Sequence, residues 1–312
     1  MKLNPLLPLL AMLLIAGASL AQPSDPPTSM EELRRLYESG DYPAAIRGIT
    51  RLTSLRSLPD GFDLVSLWNL KAECHLRLKQ TPLAIDAFDN AANAATDDRA
   101  RAIADTSARL VRKASAFNYR PRTAEPGQKP EPIDVVEPAS RERAIQAFFV
   151  DELNDAKSDT ARAAKAAQLP RLFRAIEALA PLRNTELAAT GEDTEYRALR
   201  DQLIQACTTL MNDALVKMNT RVGEIARSAR TRTTARDGTF TYRGLSGQER
   251  LDLQQTMQTC EQISSAVEEL HPQAGDELRE QLDMLRGDAR TVHALADATL
   301  NRDYTGRYRE AQ

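Results

Sequence analysis

Five arginines and two aromatic residues crowd one short stretch of this chain: Arg227, Arg230, Arg232, Arg236 and Arg243, with Phe240 and Tyr242 among them. A guanidinium offers a planar fork of donors that fits phosphate or carboxylate with paired bonds, and an aromatic ring can stack or wedge at an interface. The stretch interrupts the helical patterns on either side. It therefore reads as the exposed tip of a helical hairpin that docks on an anionic surface, such as a lipid headgroup, a wall polymer or an acidic protein face. A solvated loop is the competing reading, because arginine-rich loops are common on surfaces.

The other chemically capable residues do not converge. His75, His271 and His293 lie far apart, and no H-E-x-x-H, H-x-H or C-x-x-C spacing occurs, so neither a metal nor a cofactor is expected. Gly244-Leu245-Ser246-Gly247 brings its second glycine one residue too early for a hydrolase elbow. Ser246 with Glu249 instead fits the S-x-x-E box that starts a helix. Arg286-Gly287-Asp288 falls within a helical pattern. Cys74, Cys207 and Cys260 are odd in number, which leaves at least one thiol unpaired. Three buried thiols and a Cys207–Cys260 bridge are both compatible with their positions on apolar helix faces. Catalytic residues are not expected, and the chain reads as non-enzymatic.

The elements that would position these residues are helices. Aromatics make up only 5% of the 312 residues, while Ala, Leu, Arg, Glu, Asp and Gln are frequent, which favours an all-α fold. With 41 basic and 44 acidic residues the net charge is −3, so no general affinity for polyanions follows. Lys2, the apolar run Leu6–Ile15 and the small residues Ser19 and Ala21 read as an export signal over 1–21, cut before Gln22. An uncleaved anchor is the alternative, but the run is shorter than the roughly 20 residues a span needs. The expected location is periplasmic or secreted, with no nucleic-acid partner. Residues 22–28 are rich in Pro, Ser and Asp and should be disordered.

Two stretches then echo each other. The first carries Leu33, Leu36 and Tyr37, then Gly40-Asp41-Tyr42, then Ala45-Ile46 and Ile49; the second carries Trp68, Ala72 and Leu76, then Ala84-Ile85, Phe88 and Ala91. Each is a helix, a tight turn and a second helix, with small residues where the helices meet. This resembles the tetratricopeptide family, although the step of 39 from Ala45 to Ala84 exceeds the usual spacing of about 34. Lys71 and His75 also stand where that family favours Leu and Tyr. The resemblance implies a solenoid over 29–118 whose first helices line a groove for a protein or peptide. It places Arg34, Tyr37, Asn69, Glu73, Leu76 and Arg77 on that wall. The Lys/Asn set with which similar modules clamp a terminal carboxylate is missing.

Asp98–Ala116 and the segment after Ser140, with Ala144-Ile145 and Phe148, suggest a third unit over 98–155. The Pro-rich stretch 119–139 is its loop or a linker. Residues 120–137 are expected to be exposed and open to proteolysis at Arg120, Arg122 or Lys129; resistance there would mark a packed segment, seated along the groove as an internal ligand. Further helical hairpins are expected over 140–182. From Thr194, apolar residues at steps of three and four (Leu199, Leu203, Ala206, Leu210) mark a long amphipathic helix. Two more helices complete an antiparallel bundle over 194–300, followed by a tail at 301–312. The sequence thus points to an exported scaffold that binds through the groove, with an envelope-docking module acting through the basic tip as the alternative.

Overall fold

In a computed structural model of the chain, residues 29–117, 119–122, 133–302, 304 and 308–309 are described. The expected signal, the 22–28 segment, Lys129 and most of the tail lie outside them. The described chain is mostly helical, in line with the all-α expectation. No described helix is long and apolar enough to cross a membrane. Contacts divide the chain into two compact units.

The first unit holds α1 (Met30–Glu38), α2 (Tyr42–Thr53), α3 (Leu64–Arg77), α4 (Thr81–Ala94) and α5 (Asp98–Phe117), each packed on the next. Ser29, Asp41 and Asp63 cap α1, α2 and α3 by accepting from first-turn N–H groups. The two turns that echo in sequence also match bond for bond. Ser39, Gly40 and Asp41 donate to the carbonyls of Arg35, Tyr37 and Leu36; Leu78, Lys79 and Gln80 donate to those of Cys74, Leu76 and His75. Gly40 takes φ +82°, the left-handed turn that closes a helix, and Lys79 takes the same conformation at φ 57° without being glycine. Ala45 and Ala84, equivalent in the two stretches, are both wholly buried.

Ala84 shares a core with Ala72, Leu76, Phe88, Ala108 and Val111, all buried, and in a close-packed core a larger side chain must displace its neighbours. Ala84→Leu is expected to cost about 1–3 kcal/mol through overpacking. Urea unfolding of wild type and variant checks this, and an unchanged midpoint would show that the α3–α4 contact is not close.

The second unit holds α6 (Pro138–Ala166), α7 (Leu169–Ala178), α8 (Ala180–Thr190), α9 (Thr194–Ala229), α10 (Gly247–Leu270) and α11 (Asp276–Leu300). Pro138 belongs with the first unit and the rest of α6 with the second, so the two helices of the expected third unit, α5 and α6, fall in different units. α8 runs past residue 182, where the expected helical hairpins stop. Pro181 lies in the first turn of α8, a position where its missing N–H costs nothing. α9 packs on α7, α8, α10 and α11. Leu203, Ile204, Met211, Ile263, Val267 and Leu282 meet in its core. The capping box forms as expected: Ser246 accepts from Glu249 N–H, and Glu249 accepts in return. Cys207 and Cys260 lie in this core as free thiols, and Cys74 is a buried free thiol in the first unit.

Candidate functional site

The groove residues named above divide once placed. Tyr37, Asn69, Glu73 and Arg77 are half-buried on α1 and α3, and Arg34 is exposed on α1. Leu76 corrects the expectation. It is only 3% exposed and packs into the core of α3, α4 and α5, so it faces the next helices and does not line the wall beside Tyr37. His75 is buried as well, with Nδ1 2.8 Å from Gln80 Oε1.

Arg77 organises this wall. Its Nε donates to the Tyr37 hydroxyl at 3.2 Å, and its guanidinium lies 5.9 Å from the Tyr37 ring centroid. Tyr42 meets Tyr37 edge to face at 5.5 Å. The guanidinium is thus held between two helices, with Nη2 donating to Glu137 Oε2 at 2.8 Å. Burial raises the Tyr37 phenol, and the Arg77 bond offsets only part of that, so the hydroxyl stays neutral. Nearby, the Lys71 ammonium sits 4.8 Å over the Trp68 ring, and burial lowers its pKa.

Glu137 belongs to a stretch expected to be exposed and poorly ordered. Of its described parts Arg120, Arg122, Asp134 and Glu137 are exposed as expected, but both ends are anchored by specific contacts. Asp134–Pro138 joins the first unit, where Val135 and Val136 lie against the α3–α5 core. At the other end Tyr119 is 8% exposed, donates to Asp151 at 2.6 Å and meets Phe148 edge to face at 5.6 Å. Arg122 donates its backbone N–H to Asp151 and both guanidinium nitrogens to Asp155 at 2.8 Å. Burial, and then the Asp151 carboxylate, push the Tyr119 phenol up, which keeps it a donor. A buried tyrosine and a buried aspartate tie this chain to α6, which local composition could not show.

The basic tip is not a loop. Arg232–Thr234 forms strand β1 and Thr239–Tyr242 strand β2, paired antiparallel with Thr233 opposite Thr241; Tyr308–Arg309, β3, pairs with β2. Gly238 turns the hairpin at φ +76°, and Thr239 N–H donates to Asp237 Oδ1 at 3.0 Å. Arg227, Arg230, Arg232 and Arg236 are exposed as expected. Two members differ. Phe240 is only 7% exposed, with the Arg232 guanidinium 4.5 Å from its ring centroid and Tyr242 edge to face at 5.6 Å, so it anchors the hairpin and presents no wedge. Arg243 grips Glu249 with bonds of 2.5 and 2.7 Å and fixes the hairpin to the start of α10. Burial would raise the Glu249 carboxyl, but the Ser246 N–H and the Arg243 guanidinium outweigh it and hold it below the usual range.

One further cluster resembles a catalytic set. Cys260, Glu261 and His293 line a cavity between α10 and α11, and His293 Nε2 is 3.6 Å from Glu261 Oε1. The thiol is 1% exposed and burial raises its pKa, the opposite of what a nucleophilic cysteine needs. Burial likewise pushes Cys74 and Cys207 up to about 12. No family model, no curated protein and no solved structure matches this chain.

Proposed function

We propose that this chain is an exported, non-enzymatic scaffold in which α1–α5 form a tetratricopeptide-like array that grips a protein or peptide segment, followed by an antiparallel bundle of α9–α11. The turn equivalence around Gly40 and Lys79 supports the array. The observation that carries the binding reading is Arg77. Tyr37 fixes its guanidinium on the wall of first helices, and its Nη2 donates to a carboxylate that belongs to neither helix. A fork held this way loses little freedom when it takes a carboxylate, so it serves recognition better than a free surface arginine.

A second reading rests on Arg227, Arg230, Arg232 and Arg236, which project from the hairpin and the end of α9 and would dock on anionic surfaces. One experiment separates the two. Wild type, Arg77→Glu and a variant with those four arginines changed to Gln are each assayed against a random peptide library and against vesicles containing phosphatidylglycerol, at low and high salt. Groove binding gives peptides whose affinity falls at least about tenfold with Arg77→Glu, is kept by the four-arginine variant and changes little with salt. Vesicle binding that falls steeply with salt and vanishes only in the four-arginine variant would reverse the assignment.

A further inference from the structure

Resting on that groove reading, we propose that the Arg77 face of the first unit takes a short acidic-aliphatic segment, and that the chain's own Asp134–Glu137 fills this site in cis. The recognised chemistry is a turn-forming aspartate, two adjacent aliphatic side chains and a following carboxylate.

Each part has a contact. Val135 and Val136 both lie against the core made by Ala72, Leu76, Phe88 and Val111. Adjacent side chains of an extended chain point to opposite faces, so a plain strand could not place both there. Asp134 resolves this: its Oδ1 accepts the Val136 N–H at 2.9 Å, an Asx turn that bends the backbone and brings both valines to one surface. Glu137 then meets the Arg77 guanidinium already held by Tyr37. That ion pair is open to water, with side chains 31% and 49% exposed, so it fixes direction and selects a carboxylate more than it adds affinity. The aliphatic pair supplies the apolar burial.

Residues 134–137 belong to no helix or strand. Among the segment's contacts are the valine packing, the Glu137–Arg77 pair and one local turn, and a separate peptide can reproduce these. As part of the same chain, it competes at an effective concentration of about millimolar, so a free peptide of equal chemistry binds the wild type only weakly, and only a tighter-binding peptide displaces the internal copy.

The test uses the full chain and a fluorescent peptide corresponding to Ile133–Pro138. Wild type is compared with a Val135→Ser, Val136→Ser, Glu137→Gln variant by anisotropy, with far-ultraviolet circular dichroism on both. The expected result is an unchanged helical signal and peptide binding at least about tenfold tighter in the variant, lost again when Arg77→Gln is added. Equal weak binding by both proteins overturns the proposal, and so does loss of the helical signal, because the segment would then be an indispensable part of the core. Library selection on the same variant separates this from the groove reading. Arg77-dependent peptides of other chemistry would keep the groove and overturn the segment; no Arg77-dependent peptide at all would remove both.

Discussion

Glu186→Ala is expected to lower the stability of the second unit by about 3 kcal/mol, near the upper range for hydrogen bonds to a charged group. Glu186 lies near the end of α8 and is 2% exposed. Its two oxygens accept the backbone N–H groups of Glu195 and Tyr196, both at 2.7 Å. These are first-turn donors of α9, which have no partner within the helix. The negative charge also suits the positive end of the helix dipole. Removing it leaves two N–H groups without their acceptors. Asp193 occupies the capping position itself, but its carboxylate is taken by Arg183 at 3.3 Å and Arg197 at 2.8 Å, and it makes no capping bond. Asp193→Ala should therefore cost clearly less than Glu186→Ala. Urea titrations of the two variants give the comparison, and a larger loss from Asp193 would show that the cap has been assigned to the wrong carboxylate.

Phe148→Ala is expected to cost about 3–5 kcal/mol, the usual range for deleting a buried aromatic ring. The ring is 1% exposed and forms one side of the place that Tyr119 fills. Its loss should do more than lower the midpoint. With the Tyr119 ring unsupported, the 119–122 segment loses part of what holds it to α6, and trypsin should cut after Arg122 well before it cuts the helices. The wild-type chain should resist at this bond. Equal cleavage rates in the two proteins would show that the Tyr119 contact does not hold the segment. Tyr119→Phe provides the control: it keeps the ring contact and removes only the hydroxyl bond to Asp151.

Much of the helical framework could be read from spacing. The steps of three and four from Thr194 gave α9, Ser246 with Glu249 gave the start of α10, and the Gly40 turn separated α1 from α2 because each rests on local chemistry. The hairpin was missed although its signal was present. Asp237-Gly238 flanked by Thr233, Thr239, Phe240 and Thr241 is a strong short-range mark of paired strands. The density of arginine drew the reading toward a loop. Leu76 was placed on the groove because repeat alignment fixes position along a helix better than rotation about it. The packing of Val135, Val136 and Tyr119 had no local signal, since the partners of each lie many residues away.

Strand β3 carries a practical consequence. At Tyr308–Arg309 it supplies the outer partner of β2, pairing with Thr239 and Phe240. A chain trimmed just after α11 would keep every helix yet leave that side of β2 with unpaired backbone groups. The remaining β1–β2 ribbon would be two-stranded, a form that is marginal in water, with a fresh edge able to recruit a strand from another molecule. Shortened versions chosen by helix boundaries alone would thus be prone to self-association, and affinity tags are better attached beyond Arg309 than in its place.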